Sequence, residues 1–382
     1  MKKLLVLLFL PFLWLGTETT AAAGSTIYIA EPIYKAGTTD IDKTLVTLFK
    51  PTGAKIRELY INGIMPRVSP DGRYFAYMEA DKKSWTARRA AIADSQGRKI
   101  RNLPFNGITG FFPNGTWSPD GNRLILLRVS PPASAVLSPE KNGREEIPAD
   151  ARERIEVVVI DFDSGKTRKV HHTYSRHEME YFTYTATWFP DNKRILFAGG
   201  SRGAGIINSY TGEYETLSKD GVAAYLVDNG RKIFYLSGRP DLREPLLIWR
   251  FNPETRNSKK LFSVEEYAGH MLTPPVSPDG RYLLLIRYGQ QPPSLMLFDI
   301  PNKRVTGTDF GGKAVIPLKF SPDNNRLVAC MAEEFRHGPE VYGICDFKEG
   351  RFTALKTLDK RSQIHGEAAL AFFIFMSVEW VE

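Results

Sequence analysis

The fold is decided by a short stretch that reads Ser69-Pro70-Asp71-Gly72-Arg73 and is followed by an apolar segment at residues 74–78. Proline presets the first torsion angle of a tight turn, aspartate accepts hydrogen bonds from nearby backbone, and glycine tolerates positive φ. The apolar segment does not alternate with polar residues, which is typical of a strand buried on both faces. The stretch therefore predicts a hairpin turn that leads into an interior strand.

The pattern recurs five more times along the chain, although the copy at residues 227–230 lacks the proline. The further copies are Ser118-Pro119-Asp120-Gly121, Phe189-Pro190-Asp191-Asn192, Val227-Asp228-Asn229-Gly230, Ser277-Pro278-Asp279-Gly280 and Ser321-Pro322-Asp323-Asn324. The six aspartates are separated by 49, 71, 37, 51 and 44 residues. One four-stranded propeller blade takes roughly 40 to 50 residues. The spacing therefore predicts a β-propeller that fills one large domain, residues 24–382.

A second kind of turn sets the number of blades. It occurs seven times, at residues 51–53, 94–97, 163–165, 211–212, 252–254, 301–303 and 348–350. The surplus copy lies near the N-terminus, where residues 26–33, 45–49 and 56–60 predict three strands without an inner one. Residues 378–381 resemble the segments that enter the turns at Trp117 and Trp188, and they supply the missing strand. We predict an all-β propeller of seven four-stranded blades, closed by the C-terminal strand; six blades are the alternative if the N-terminal strands form only an arm.

The repeated Ser-Pro-Asp-Gly turn with its apolar strand resembles the TolB-type β-propeller repeat, which also occurs in the propellers of prolyl-oligopeptidase-like peptidases. The resemblance covers residues 26–382 and rests on the six copies of the turn. It implies a propeller and, from TolB itself, a periplasmic protein that binds other envelope proteins. This sequence has no room for the additional N-terminal domain of TolB, nor for the hydrolase domain of the peptidases.

The N-terminus predicts export. Lys2 and Lys3 precede a mainly apolar run at residues 4–15, and small residues follow up to Ala23. This is the pattern of a cleaved signal peptide over residues 1–23, while a retained anchor is the alternative. The apolar run is too short to span a bilayer, which takes about 20 helical residues. No cysteine lies near the cleavage site, so we expect a periplasmic or secreted protein without stable membrane insertion.

Composition restricts the class of partner. The 382 residues are 42% hydrophobic and 25% charged, which is ordinary for a globular protein. The formal net charge is +8, of which residues 1–23 carry +1, leaving +7 on the predicted mature chain. An exported basic protein meets anionic polymers, lipid headgroups or acidic proteins, and we expect no nucleic acid partner.

The only two cysteines, Cys330 and Cys345, flank a turn predicted at residues 336–339. They are equally distant from its centre, so a symmetric hairpin would place them opposite each other on adjacent strands. An oxidising compartment would then allow a disulfide. Two buried thiols are the alternative.

Candidate ligand-binding residues lie near the rim from which the connections between second and third strands leave. A polar insertion at residues 131–154 belongs to that rim, and it should lie beside the loop at residues 171–181. Arginines near the rim could converge on a carboxylate, phosphate or sulfate, although pairing with neighbouring carboxylates is the alternative. The candidates are Arg88, Arg128, Arg202, Arg239, Arg287, Arg336, His171 and His177.

No catalytic constellation is predicted. Gly199-Gly200-Ser201-Arg202-Gly203 matches the nucleophile elbow G-x-S-x-G, but a strand and not a helix is expected after it, so we interpret it as a blade loop. The only local group of potential metal ligands consists of the histidines at 171, 172 and 177 with the glutamates at 178 and 180. Adjacent histidines in an extended chain point to opposite faces, so His171 and His172 do not easily share one ion. We therefore predict no metal and no cofactor.

Two function classes follow. The first is an exported, non-catalytic propeller that binds an envelope protein or anionic polymer. The alternative is a propeller enzyme, a glycan lyase or a hydrolase of glycans or lactones, with titratable groups gathered at the channel mouth. A stand-alone relative of the peptidase propellers is a third and weaker reading.

Overall fold

A computed structural model describes residues 25–35, 41–81, 84–104, 109–111, 115–130, 153–175, 184–238, 245–264, 276–287, 294–308, 314–332, 340–346, 351–358 and 377–381. These ranges are almost entirely β-strand, and the single helical element among them is a 3-10 turn at Gly200–Arg202. None of their segments is a helix of the length and apolarity that a membrane span requires.

The strands are, in chain order, β1 (Thr26–Tyr34), β2 (Ile41–Phe49), β3 (Lys55–Ile61), β4 (Ile64–Val68), β5 (Tyr74–Asp81), β6 (Ser84–Asp94), β7 (Lys99–Asn102), β8 (Thr109–Phe111), β9 (Arg123–Ser130), β10 (Arg154–Asp161), β11 (Thr167–Tyr174), β12 (Thr185–Trp188), β13 (Arg194–Ala198), β14 (Ala204–Asn208), β15 (Tyr214–Ser218), β16 (Gly221–Val227), β17 (Lys232–Ser237), β18 (Leu246–Asn252), β19 (Asn257–Val264), β20 (Tyr282–Arg287), β21 (Ser294–Asp299), β22 (Arg304–Thr308), β23 (Ala314–Phe320), β24 (Leu327–Ala332), β25 (Val341–Asp346), β26 (Arg351–Thr357) and β27 (Ser377–Val381).

These strands form seven antiparallel sheets, which are the blades of a propeller. From the axis outward, the blades are β27-β1-β2-β3, β4 to β7, β8 to β11, β12 to β15, β16 to β19, β20 to β22, and β23 to β26, numbered 1 to 7 in that order. In blade 6 the bridge between Val276 and Leu283 marks the position of the inner strand. The predicted seven-bladed architecture is confirmed.

The ring is closed as the sequence predicted. Strand β27 pairs with β1 in antiparallel register, with Val381 opposite Thr26 and Ser377 opposite Ala30. It also contacts β4 of blade 2 and β23 of blade 7, so the C-terminal strand is the inner strand of the N-terminal blade.

The recurring turn is stabilised by its own side chains. The hydroxyl of Ser69 donates to Asp71 at 2.6 Å and accepts the backbone N–H of Tyr74 at 3.0 Å. Asp71 in turn accepts the backbone N–H of Arg73 at 3.0 Å. The same arrangement of serine and aspartate recurs at Ser118, Ser277 and Ser321. Each turn therefore fixes the entry into its apolar strand.

Two side chains of this repeat reach from one blade to the next. The backbone N–H of Asp120 donates to the side-chain oxygen of Asn192 at 3.1 Å, which ties the turns of blades 3 and 4 together. The indole N–H of Trp117 donates to the carbonyl of Arg67 in the preceding blade at 2.9 Å. Asparagine in place of glycine thus keeps the positive φ of the turn and adds a bond between blades.

The second kind of turn packs against the outer strand of the preceding blade. Gly97 has a φ of +81°, and a Cβ at this position would lie 2.5 Å from the carbonyl oxygen of Tyr60. Glycine is therefore required both for the backbone conformation and for the close approach.

The hydrophobic core is divided into layers between the blades. One such layer joins Ile125 and Leu127 of blade 3 to Phe197 and Ile207 of blade 4. Comparable clusters lie at the other contacts between neighbouring blades. The apolar strands are buried on both faces because each lies between two such layers.

The hairpin register corrects the predicted disulfide. Cys330 lies opposite Tyr342, and Cys345 lies opposite Leu327, so the hairpin is not symmetric about the two cysteines. The offset of three residues also points the side chains to opposite faces of the sheet. Both cysteines are free, buried thiols, and burial raises their pKa values.

Candidate functional site at the rim of blades 3 and 4

Blade 3 places two long connections at one edge. Arg154 at the start of β10 pairs with Ser130 at the end of β9 and with Tyr174 at the end of β11. The insertion connects the end of β9 to the start of β10, and the link to blade 4 leaves from the end of β11. The connecting residues 131–152 and 176–183 lie outside the described residues. Their points of departure are adjacent, as the strand order of a propeller blade requires.

A buried carboxylate lies directly below this edge. Glu156 of β10 is the centre of a row that runs from Arg128 on β9 to His172 on β11. Its side chain is 9% exposed, and it forms ion pairs with Arg128, with Arg154 at 3.3 Å and with Lys169 at 3.4 Å. Burial alone would raise the pKa of Glu156, but the bond to Arg128 and the nearby cations outweigh it and lower the pKa.

Arg128 is committed to this internal pair, because its Nε donates to Glu156 at 2.7 Å. The alternative interpretation of the rim arginines, pairing with a neighbouring carboxylate, therefore holds at this position. Arg154 and Lys169 remain 40% and 46% exposed. Their charges are available to a partner at the surface.

Blade 4 contributes a further cation to this surface, because its glycine-rich loop carries Arg202. The loop joins β13 to β14, and its Ser201 hydroxyl lies 3.4 Å from the Thr173 hydroxyl of blade 3. The backbone N–H of Arg202 donates to the same Thr173 oxygen at 3.2 Å. Because strand β14 follows, the G-x-S-x-G motif lacks the strand–turn–helix context of a nucleophile elbow.

The electrostatic character of this surface is visible at His172, which is half-buried. Burial lowers the pKa of His172, and Arg154, Arg202 and Lys169 lower it further, while Glu156 acts in the opposite direction. The local potential is therefore positive. We call the set Arg154, Lys169, Arg202 and His172 the rim cluster.

His171 lies on the other face of β11, at the interface with blade 4. Its ring stacks on Tyr214 with centroids 4.2 Å apart, and its side chain is 6% exposed. Burial, followed by the charges of Arg202 and His172, lowers the pKa of His171 to about 3. The two adjacent histidines point to opposite faces. Within the described part of the chain, no three His, Cys, Asp or Glu side chains are grouped as metal ligands.

The structure describes the backbone of only some of the other predicted candidates. Arg88 lies in β6 and Arg287 in β20, but their side chains are outside the description. Arg239, Arg336 and His177 are in connections that lie outside the described residues. Convergence of all six arginines on one ligand stays a prediction.

Sequence reasoning missed Glu156, Arg154 and Lys169. The signal was present in Arg154-Ile155-Glu156, where Glu156 is a charged residue between the apolar residues Ile155 and Val157 of the strand. A charged residue among inward-facing positions indicates a polar cluster rather than a solvated surface.

A second charged group lies on the inner strands of blades 2, 1 and 7. Arg67 of β4 contacts Glu379 of β27 at 3.4 Å, and Lys319 of β23 contacts the other oxygen of Glu379 at 3.7 Å. Burial lowers the pKa of Arg67. Three consecutive blades thus bring two cations to one carboxylate near the axis.

Comparisons with known proteins agree with this architecture. A scan of protein-family models gives no match to this chain, and a search of curated protein sequences also gives none. Solved structures resemble it. The chain is a seven-bladed β-propeller whose structural neighbours include TolB proteins, peptidases, lyases and lactonases.

Three of these neighbours illustrate the range. TolB from Acinetobacter baumannii is 17% identical with a TM-score of 0.43, over 75% of this chain and 64% of that chain. An acylaminoacyl peptidase from Pyrococcus horikoshii is 15% identical with a TM-score of 0.56, over 87% of this chain and 50% of that chain. A periplasmic gluconolactonase from Pseudomonas aeruginosa is 13% identical with a TM-score of 0.54, over 93% of this chain and 99% of that chain. This chain spans less than two thirds of that TolB and half of that peptidase. At these identities the likeness to the peptidase and the gluconolactonase shows the fold alone.

Proposed function

We propose that the protein is an exported, non-catalytic β-propeller that binds an anionic polymer or an acidic protein of the cell envelope through the rim cluster. The observation that carries the proposal is the excess of positive charge at that surface. Arg154 and Lys169 pair with the buried Glu156, which Arg128 also binds, and Arg202 adds a further cation near His172. The predicted signal peptide over residues 1–23 supports export.

The cations are held on fixed backbone. Arg154 and Lys169 belong to paired strands of blade 3, and the loop of Arg202 is bonded to Thr173. Charges that are already positioned lose less conformational entropy when a ligand binds. Two long connections leave from the same edge and would extend the surface. A rigid scaffold with a charged patch and adjacent loops is typical of recognition.

The test is a binding titration of residues 24–382 with dextran sulfate, an anionic polymer, and with poly-glutamate, an acidic polypeptide. We compare the wild type with the variant R154E/K169E/R202E. The control variant K55E/R98E/R256E makes the same change in net charge at exposed positions outside the rim cluster. If each of the three lost contacts contributes about 0.2–1 kcal/mol, the rim variant should bind between about 3-fold and about 150-fold more weakly.

The control variant should lose much less, and the wild-type affinity should fall as salt increases because exposed charges are screened. Equal losses in both variants would mean that only net charge matters, and the proposed site would be wrong. The ligand with the higher affinity would indicate whether the natural partner is a polymer or a protein.

A second candidate, a propeller enzyme acting on glycans or lactones, is favoured by one observation. Glu379 lies between Arg67 and Lys319 on inner strands, so titratable groups do converge near the channel. The test is a screen of lactone and glycan hydrolysis with wild type and E379Q. Turnover that E379Q abolishes would displace the binding proposal, and no turnover in the wild type would remove this candidate.

A further inference from the structure

His171 occupies an unusual position for an imidazole. Its side chain is 6% exposed, its Nε2 atom is buried without a hydrogen-bond partner, and its ring lies against Tyr214. A buried polar atom without a partner is destabilising, and each such case in a folded protein requires an explanation. Phenylalanine would provide the same stacking without this cost.

Tyr214 connects His171 to the rim cluster. Its hydroxyl donates toward the carbonyl oxygens of Arg202 at 3.3 Å and Gly203 at 3.4 Å. Those two residues belong to the loop at residues 199–203, which is closed by a bond from the N–H of Gly199 to the carbonyl of Gly203 at 3.1 Å. The stack of His171 on Tyr214 therefore supports the loop that presents Arg202.

We propose that neutral His171 is an acid-sensitive latch, which keeps the loop at residues 199–203 in place and releases it when the imidazole takes up a proton. Release withdraws Arg202 from the rim cluster, so the affinity for a polyanion falls in acid. This inference rests on the proposed function, because it concerns the same surface.

The groups that face His171 favour this behaviour. Among the described residues, the neighbouring charged or titratable groups are His172 on its own strand, Arg202 on the loop and Tyr214 on β15. None of them is a carboxylate that could stabilise an imidazolium. The pKa of about 3 in the closed state compares with 6.5 for an exposed histidine. Between pH 7.5 and pH 5 the equilibrium between open and closed states therefore shifts about 30-fold toward the open state.

The direction of the effect distinguishes the latch from simple electrostatics. Protonation of His172 in acid adds a positive charge to the rim cluster and strengthens the binding of a polyanion. The latch predicts the opposite direction. The direction in which the affinity changes in acid therefore separates protonation of His171 from protonation of His172.

The experiment measures the affinity for dextran sulfate, whose charge is constant in this range, at pH 7.5 and pH 5 and at equal ionic strength. We expect the wild type and H172Q to bind more weakly at pH 5, by up to about fivefold, which is the loss expected when the contact of Arg202 is withdrawn. H171F, which keeps a stacked ring and cannot be protonated, should bind as well or better at pH 5.

A second readout follows the loop directly. Amide hydrogen exchange at Gly199 and Gly203, corrected for the intrinsic effect of pH, should be faster at pH 5 in the wild type and unchanged in H171F. Y214F keeps the ring and removes the two hydroxyl contacts, so it should bind more weakly at pH 7.5 and show a smaller effect of pH. This variant tests the connection if H171F does not fold.

Binding by the wild type that strengthens in acid, with unchanged exchange at Gly199 and Gly203, would overturn the latch and leave the proposed function intact. Absence of binding at both pH values would instead contradict the proposed function, and the latch with it.

Discussion

An ion pair at the closure of the ring provides a quantitative test of the fold. Lys356 of β26 in blade 7 lies 2.6 Å from Glu31 of β1 in blade 1 and 3.1 Å from the hydroxyl of Thr47. Glu31 is fully buried and Lys356 is 14% exposed. The two residues join blades that are far apart in sequence, so their interaction is present only when the ring is closed.

The perturbation is K356M, which keeps most of the apolar stem and removes the charge. The variant leaves the buried carboxylate of Glu31 without this cation. Breaking a buried pair in this way costs about 3–5 kcal/mol, and we expect about 3 kcal/mol because Lys356 is not fully buried. The double variant E31Q/K356M removes both charges and should recover most of that loss, since a buried pair contributes little net stability.

The assay is equilibrium unfolding of residues 24–382 in urea at pH 7, followed by circular dichroism and by tryptophan fluorescence. K55M is the control, because Lys55 forms an exposed pair with Glu58 at 2.8 Å and its loss should cost less than about 1 kcal/mol. The reasoning is refuted if K356M is no worse than K55M, or if the double variant is as unstable as K356M.

Three further predictions concern turns and pH. Gly97→Ala should lower the free energy of unfolding by about 3 kcal/mol in urea titration, since it adds a clash with Tyr60 to the strain of positive φ. Gly121→Ala brings its Cβ only to 4.0 Å from Pro70, an ordinary contact, and should cost about 1–2 kcal/mol. Asn192→Gly keeps the turn and removes the acceptor for Asp120, so it should cost about 1 kcal/mol by the same assay; no change would mean that the bond between the turns is not formed in solution. Because the folded-state pKa of His171 is about 3, below the unfolded value of 6.5, its contribution to stability is complete above pH 6.5 and declines as pH falls toward 3. The wild type should therefore lose about 2 kcal/mol more than H171F between pH 7.5 and pH 5, and parallel losses would contradict a buried neutral imidazole.

The architecture was accessible from the sequence because the turn residues carry a local physical requirement. One backbone conformation is specified by the turn residues Pro70, Asp71 and Gly72, and asparagine replaces the glycine in some copies. The recurrence of this turn along the chain indicates the number and spacing of the blades. The closing strand was found for the same reason, since Trp380 belongs to the pattern seen at Trp117.

Register and side-chain partners were not accessible in the same way. Cys330 and Cys345 were placed opposite each other on the assumption of a symmetric turn, and the pairing of Cys330 with Tyr342 corrects it. Glu156 was overlooked because its importance depends on three cations from other positions in the blade. Such clusters depend on which face of a strand each residue occupies, and a local pattern does not determine that.

The pairing of β27 with β1 also determines when blade 1 can be completed during synthesis of the chain. Synthesis proceeds from the N-terminus, so β1, β2 and β3 are made first, while β27 follows every other described strand. Until β27 is made, β1 has an unpaired edge, and β4 and β23 lack the contacts that β27 provides. Shortening the sequence by its last strand should therefore leave a ring that stays open and associates through the exposed edge of β1.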